Sequence, residues 1–258
     1  MLLSISRFLA PLLPILLTSI AGAQITVAVA ANVQFAMEKI KAEFKQASGI
    51  DVKTVYGSSG KLCTQIKNGA PFDLFVSADM DFPDSLYKWG YAAQKPKTYA
   101  FGKLVLWTTA KLDLEKGMQV LGDSGIVKIA IADPKGAPYG REAVKALKQA
   151  GLYDKVASKL VFGESIAQVN QYILLGSVEI GITAKSVVLA PDMQGKGTWK
   201  EADSTAYDPI AQGAVVSKYG ADNNPGLAAK FLDYLYSQAA RKVFARYGYV
   251  LPDRKSVV

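Results

Sequence analysis

The chain has 258 residues, half of them hydrophobic, and a formal charge of +8. It holds no histidine and one cysteine, which excludes a Ser-His-Asp triad, a Cys-His pair, the usual zinc and haem sites and any internal disulfide. Its basic residues are interleaved with acids and form no run or stripe, which points to a solvated surface with mild attraction for anions and argues against nucleic acid as a partner.

The first 23 residues read as a secretory signal. Arg7 precedes an apolar run, Phe8 to Ile20, broken by Pro11 and Pro14 and followed by Ala21-Gly22-Ala23. The run is shorter than a bilayer span, so cleavage near Ala23 is favoured over an anchoring helix. No cysteine follows for lipid attachment. A soluble, exported protein in the periplasm is expected, and a monomer.

Strand candidates then follow at Ile25–Ala30, Val52–Tyr56, Leu74–Ser77, Leu104–Thr108, Val127–Ala132, Leu160–Phe162 and Ile180–Thr183. Most are nearly continuous apolar runs, as in strands buried on both faces. Helical spacing appears over Val33–Gln46, Arg141–Gln149 and Ile166–Leu175, closed by Gly49, Gly151 and Gly176 where a left-handed cap is needed. The segment Gly226–Tyr247 is helical with little strand. Alternation of strand and helix predicts an α/β architecture with largely parallel sheets. The length suits two lobes with crossings near Leu104–Thr108 and Ile210–Val216. That divides the chain into residues 24–103 with 213–258, and residues 104–212.

Four strand-to-helix turns share one chemistry. Ala30-Ala31-Asn32 ends the first strand and puts Asn32 at a helix N-cap. Gly57-Ser58-Ser59-Gly60-Lys61 follows the second. Residues Asp133 to Gly140 open a helix near Tyr139, and Gly163-Glu164-Ser165 caps the helix at Ile166. The first N–H groups of a helix lack intrahelical partners and carry the positive end of its dipole. Small and hydroxyl residues there make an anion site in waiting. One such turn alone is more simply a capped helix. Four at the carboxyl ends of strands, shared between two halves, predict a ligand cleft.

Competing motifs are weaker. Ser58-Ser59-Gly60-Lys61 matches S-x-x-K, a serine nucleophile with a lysine base, but the accompanying S-D-N and K-T-G triplets are absent. The loop lacks the spacing of a phosphate-binding Walker loop. Asp73, Asp79, Asp81 and Asp84 lack calcium-loop spacing and read as caps or surface acids. Cys63 reads as a small core residue, and Lys61 and Lys185 as surface lysines.

Several segments together resemble the periplasmic molybdate-binding proteins of bacterial ABC importers: "ITVAVAANVQFAMEKI", "GSSGKLCTQIKNGAPFDLFVSAD", "ADPKGAPYGREAVKAL", "GESIAQVNQYI", "EIGITAKS" and "FLDYLYSQAARKVFARYGYVLP". The resemblance spans nearly the whole chain beyond the leader. It implies a two-lobed periplasmic-binding-protein fold, no catalysis and no cofactor, with molybdate or tungstate held between the lobes for a membrane permease. Carried over by position, the contacts fall on Asn32, Ser59, Tyr139 and Ile166, the last through its backbone N–H, with Ala31 and Ser58 beside them. These residues meet the metal only through the oxygens of the ion. Many members have serine at the place of Asn32 and tyrosine at that of Ala184, so Asn32 and Tyr139 are expected to supply the donors here. Sulfate or another tetrahedral oxyanion is the alternative ligand, and a secreted Ser58–Lys61 hydrolase the alternative of another class.

Overall fold

A computed structural model describes residues 23–253. The predicted signal, apart from Ala23, lies outside the described residues. Two five-stranded sheets form the frame of two lobes. The first contains β1 (Gln24–Ala30), β2 (Asp51–Gly57), β3 (Leu74–Val76), β4 (Lys97–Gly102) and β10 (Ile210–Val216), in the order β2-β1-β3-β10-β4. The second contains β5 (Leu104–Thr108), β6 (Ile129–Ala132), β7 (Leu160–Gly163), β8 (Ile180–Ala184) and β9 (Thr198–Glu201), in the order β7-β6-β8-β5-β9.

Each sheet has a parallel half, β2-β1-β3 and β7-β6-β8. In each, one strand opposes the other four: β10, antiparallel to β3 and β4, and β5, antiparallel to β8 and β9. Those two strands begin where the chain passes between the sheets, after Lys103 and after Pro209. Every residue of β5, β6 and β8 is buried, because helices cover both faces, so these strands are continuous apolar runs. β4 and β9 were not anticipated. β9, Thr-Trp-Lys-Glu, is an edge strand with no buried residue.

Among the described residues the α-helices are α1 (Gln34–Ser48), α2 (Ser59–Lys67), α3 (Asp81–Lys88), α4 (Pro138–Gln149), α5 (Tyr153–Val156), α6 (Ile166–Leu174), α7 (Lys185–Val188), α8 (Lys218–Asn223), α9 (Pro225–Leu235) and α10 (Gln238–Arg246). In α1 the buried residues Ala36, Met37, Ile40 and Phe44 recur at helical spacing and face the core. Truncating one such side chain, Ile40→Ala, removes about 2–5 kcal/mol. The helix stops at Gly49, whose φ of 71° is the left-handed cap that glycine adopts without steric cost.

Three local expectations are corrected. Asn32 is not an N-cap: a 3-10 turn, Ala31–Val33, intervenes, and Val33 precedes α1. Asp73 and Asp79 are buried rather than superficial, although Asp79 does cap α3, one of the two roles expected, accepting the Phe82 N–H at 3.3 Å. Asp73 accepts the Thr26 N–H at 2.6 Å and the Asn224 amide at 2.8 Å, which pins β1 to the α8–α9 junction. Cys63 is in the core as expected, and burial pushes its thiol up to about 11. Among the described residues no helix is long and apolar enough to cross a membrane.

Candidate functional site

The carboxyl ends of β1, β2, β6 and β7 lead directly into the 3-10 turn, α2, the loop before α4, and α6. Their first residues converge on one cleft between the lobes. It is lined by Ala31, Asn32, Ser58, Ser59, Tyr139 and Ile166, the six residues singled out in the sequence, together with Ala30, Gly57, Ala78, Ala137, Pro138 and Ser165. The cleft holds about 200 Å³ of empty volume, part of it open to solvent.

The lining includes no carboxylate, lysine or arginine. Its polarity comes from hydroxyls and helix starts. Ser58 and Ser165 occupy the N-cap positions of α2 and α6, yet neither side chain accepts a capping bond. Ala30 and Ala137, at the other two starts, have no side chain able to do so. Elsewhere serine does cap: Ser217 accepts from Gly220 N at 2.9 Å, and Ser237 from Ala240 N at 3.3 Å. The four turns that meet at the cleft thus have no side-chain cap on their first N–H groups, a feature other helix starts in the protein share; what sets these four apart is that they meet at one place.

The hydroxyls are also oriented. Ser59 is 1% exposed, and its Oγ accepts the Ala78 N–H at 2.9 Å. With a lone pair taken from behind, the hydroxyl proton is free to point forward. Tyr139 follows the same pattern, its oxygen accepting from Gln212 Nε2 at 3.1 Å and, more distantly, from Asn32 Nδ2 at 3.5 Å. Burial pushes the Tyr139 phenol well above its ordinary pKa, so it stays protonated and can donate.

Asn32 departs from its expected role. Its amide donates to Gln212 Oε1 at 2.9 Å and to Tyr249 Oη at 3.2 Å. The side-chain NH₂ is therefore engaged behind the cleft, and what Asn32 offers the cleft is its backbone. Sequence reasoning missed Ser165 as a lining residue, although its place before α6 mirrors that of Ser58 before α2. It also missed the support residues Tyr99, Gln212 and Tyr249.

The lobes touch across the cleft mouth. Gly60 N–H donates to the Gly136 carbonyl at 2.9 Å. Lys61 pairs with Glu164 at 2.6 Å, and Arg141 reaches over to Asp79 and, at 3.3 Å, to Asp81. The Lys61–Glu164 pair is more than half exposed on both sides, so it contributes at most about 1 kcal/mol. Asp79 is mostly buried. Burial raises its pKa, and the Arg141 guanidinium and the Ser77 hydroxyl oppose the rise. Lys185 lies away from the cleft, paired with Glu201 at 2.5 Å. Among the described residues no cluster of His, Cys, Asp or Glu could hold a metal ion.

A family model described as bacterial extracellular solute-binding protein matches residues 25–250. The chain belongs to that family. It is 39% identical over 231 residues to the molybdate-binding protein ModA of Azotobacter vinelandii, covering 89% of this chain and 91% of that one. To ModA of Rhodobacter capsulatus it is 38% identical over 233 residues, with 89% of each covered. The solved structure of the Azotobacter vinelandii periplasmic molybdate-binding protein superposes with a TM-score of 0.83 at 31% identity, over 89% of this chain and all of that one. These relatives bind solutes and are not enzymes, and this solute-binding protein stands with them. The Lys61 ammonium is paired with Glu164 at the cleft mouth.

Proposed function

We propose that this protein captures molybdate in the periplasm and delivers it to the permease of an ABC importer. Tungstate, a tetrahedral dianion of the same kind, is taken alike. The supporting observation is the convergence of four helix starts without a side-chain cap, together with Ser59 and Tyr139, whose hydroxyl oxygens each accept a hydrogen bond from the protein, on a cleft without charged side chains. Such a site holds a dianion by oriented N–H and O–H dipoles. The residues in contact are Ser59 and Tyr139 through hydroxyls, Ala31, Asn32 and Ile166 through backbone N–H groups, and Ser58 beside them. The metal of the ion is reached only through its oxygens. The ModA relatives carry the same ligand in their names. The protein acts as a monomer of two lobes, residues 24–103 with 213–258 and residues 104–212, exported by a signal cleaved near Ala23.

A ligand that binds only the folded state stabilises it by RT ln(1 + [L]/Kd), about 4 kcal/mol at a thousandfold excess over Kd. Molybdate is expected to raise the melting temperature while chloride at equal ionic strength leaves it unchanged. An unmoved melting curve at millimolar molybdate would refute the function.

A further inference from the structure

Behind the cleft lies a closed set of buried polar groups that does not line it: Gln212, Tyr99 and Tyr249, joined to Asn32 and Tyr139. Gln212 is fully buried in β10, an otherwise apolar strand. It sits at an irregularity where the register with β4 shifts between Gln212 and Gly213. An amide there needs partners, since a buried polar group left unpaired is costly.

The orientation of every group in the set follows from one main-chain carbonyl, which can only accept. Asn32 C=O accepts from the Tyr249 hydroxyl at 2.9 Å and from the Ser186 hydroxyl at 2.7 Å. Having spent its proton there, Tyr249 can only accept at its oxygen, and the Asn32 Nδ2 group donates to it at 3.2 Å. That fixes which end of the Asn32 amide is nitrogen. The same nitrogen donates to Gln212 at 2.9 Å, so the Gln212 atom facing it is Oε1. The Tyr99 hydroxyl also lies against that oxygen, at 2.8 Å, and shares its proton with the Ser77 carbonyl at 2.9 Å. Nε2 is then the end that meets Tyr139, donating at 3.1 Å. Gly102 makes the meeting possible: a Cβ there would lie 2.0 Å from the Tyr139 oxygen and 2.5 Å from Gln212 Nε2.

We propose that Gln212 is the positioning residue that holds Tyr139 as a hydrogen-bond donor toward the cleft, and that it thereby sets selectivity for unprotonated anions. The inference rests on the reading of the cleft as an oxyanion site. A phenol can donate or accept. With Nε2 behind it, its inward lone pair is occupied and its proton turns to the ligand. Without Nε2 the proton can turn inward, and the oxygen then offers an acceptor to an anion that carries its own proton.

The test is a double-mutant cycle read by titration calorimetry with molybdate and with inorganic phosphate. Gln212→Met is expected to weaken molybdate about tenfold and to narrow the molybdate-to-phosphate ratio. Tyr139→Phe is expected to weaken molybdate at least as much. The double variant should bind within about twofold of Tyr139→Phe alone, because Gln212 acts through the phenol. Tyr249→Phe keeps the ring, does not touch the cleft, and removes only the hydroxyl that orients Asn32. It should weaken molybdate in the native background and not in the Tyr139→Phe background, and it serves if Gln212→Met does not fold. Losses that multiply in the doubles, or an unchanged anion ratio, would overturn the inference while the cleft reading stands. Failure of the unaltered protein to bind molybdate would overturn both.

Discussion

Ser59→Ala separates ligand binding from helix architecture. The Ser59 hydroxyl has one neighbour among the described residues, the Ala78 N–H at 2.9 Å, and both residues are at most 2% exposed. In the ligand-free protein the substitution leaves that N–H unpaired in a buried place, at about 1–3 kcal/mol. At roughly 2–4 °C per kcal/mol for a domain of this size, the melting temperature falls by about 2–12 °C. In the complex a second quantity is lost, the charge-assisted bond from the hydroxyl to an anion oxygen, about 1.5–3 kcal/mol. Calorimetric titration with molybdate should therefore show affinity lower by about one to two decades. Both effects are expected together. A lower melting temperature with unchanged affinity would mean that Ser59 merely supports Ala78, and the assignment of its hydroxyl to the ligand would be refuted.

Gly60→Ala places a Cβ 2.9 Å from Gly136 Cα, 3.0 Å from its carbonyl oxygen and 3.0 Å from the Phe82 ring; it should prop the lobes apart and weaken molybdate at least tenfold, and equal affinity by calorimetry would show that lobe contact at Gly136 is not needed. Glu179 bears on stability away from the cleft: its carboxylate accepts the N–H groups of Lys128 and Val127 at 2.6 and 3.0 Å, and the Lys128 bond above all holds its pKa below the ordinary glutamate value. A lowered folded-state pKa adds stability that is complete above the unfolded value and lost as pH falls through the folded one. Glu179→Gln should therefore flatten the acid limb of the stability curve, and an unchanged slope in urea melts across the carboxylate range would contradict it.

The frame and the cleft were legible in the sequence for a local reason. Buried strands such as Ile129–Ala132 and Ile180–Ala184 are written as apolar runs, and the turns that follow them are written in small and hydroxyl residues. Both signals sit within a few positions of one another. β9 was not legible, because an exposed edge strand needs neither an apolar run nor alternation. The role of Asn32 was misread for the opposite reason. Its partners Gln212 and Tyr249 stand 180 and 217 positions away, and only the fold reveals that they take up its amide. A trace of the support network was nonetheless present: glutamine in the middle of Ile-Ala-Gln-Gly-Ala-Val-Val is a polar group in a strand otherwise built for the core. Asp73 and Asp79 likewise read as caps or surface acids; Asp79 does cap α3 through the Phe82 N–H, but the burial of both and their Thr26, Asn224 and Arg141 partners are visible only in the fold.

The central claim is that the cleft recognises a fully deprotonated tetrahedral dianion by donors alone. Inorganic phosphate near neutral pH keeps at least one proton, and a lining without a carboxylate leaves that proton facing another donor. An unpaired buried group costs about 1–3 kcal/mol. Molybdate and tungstate satisfy every donor; sulfate does so too and is disfavoured only by its smaller size. Competition calorimetry at neutral pH, with molybdate displaced in turn by tungstate, sulfate and phosphate, reads this directly. Tungstate should compete as an equal, sulfate more weakly and phosphate least. Phosphate binding as tightly as molybdate would contradict the claim and require an acceptor in the cleft, with Asp79 and Glu164, adjacent in sequence to the lining residues Ala78 and Ser165, the first carboxylates to examine and Asp133 the next.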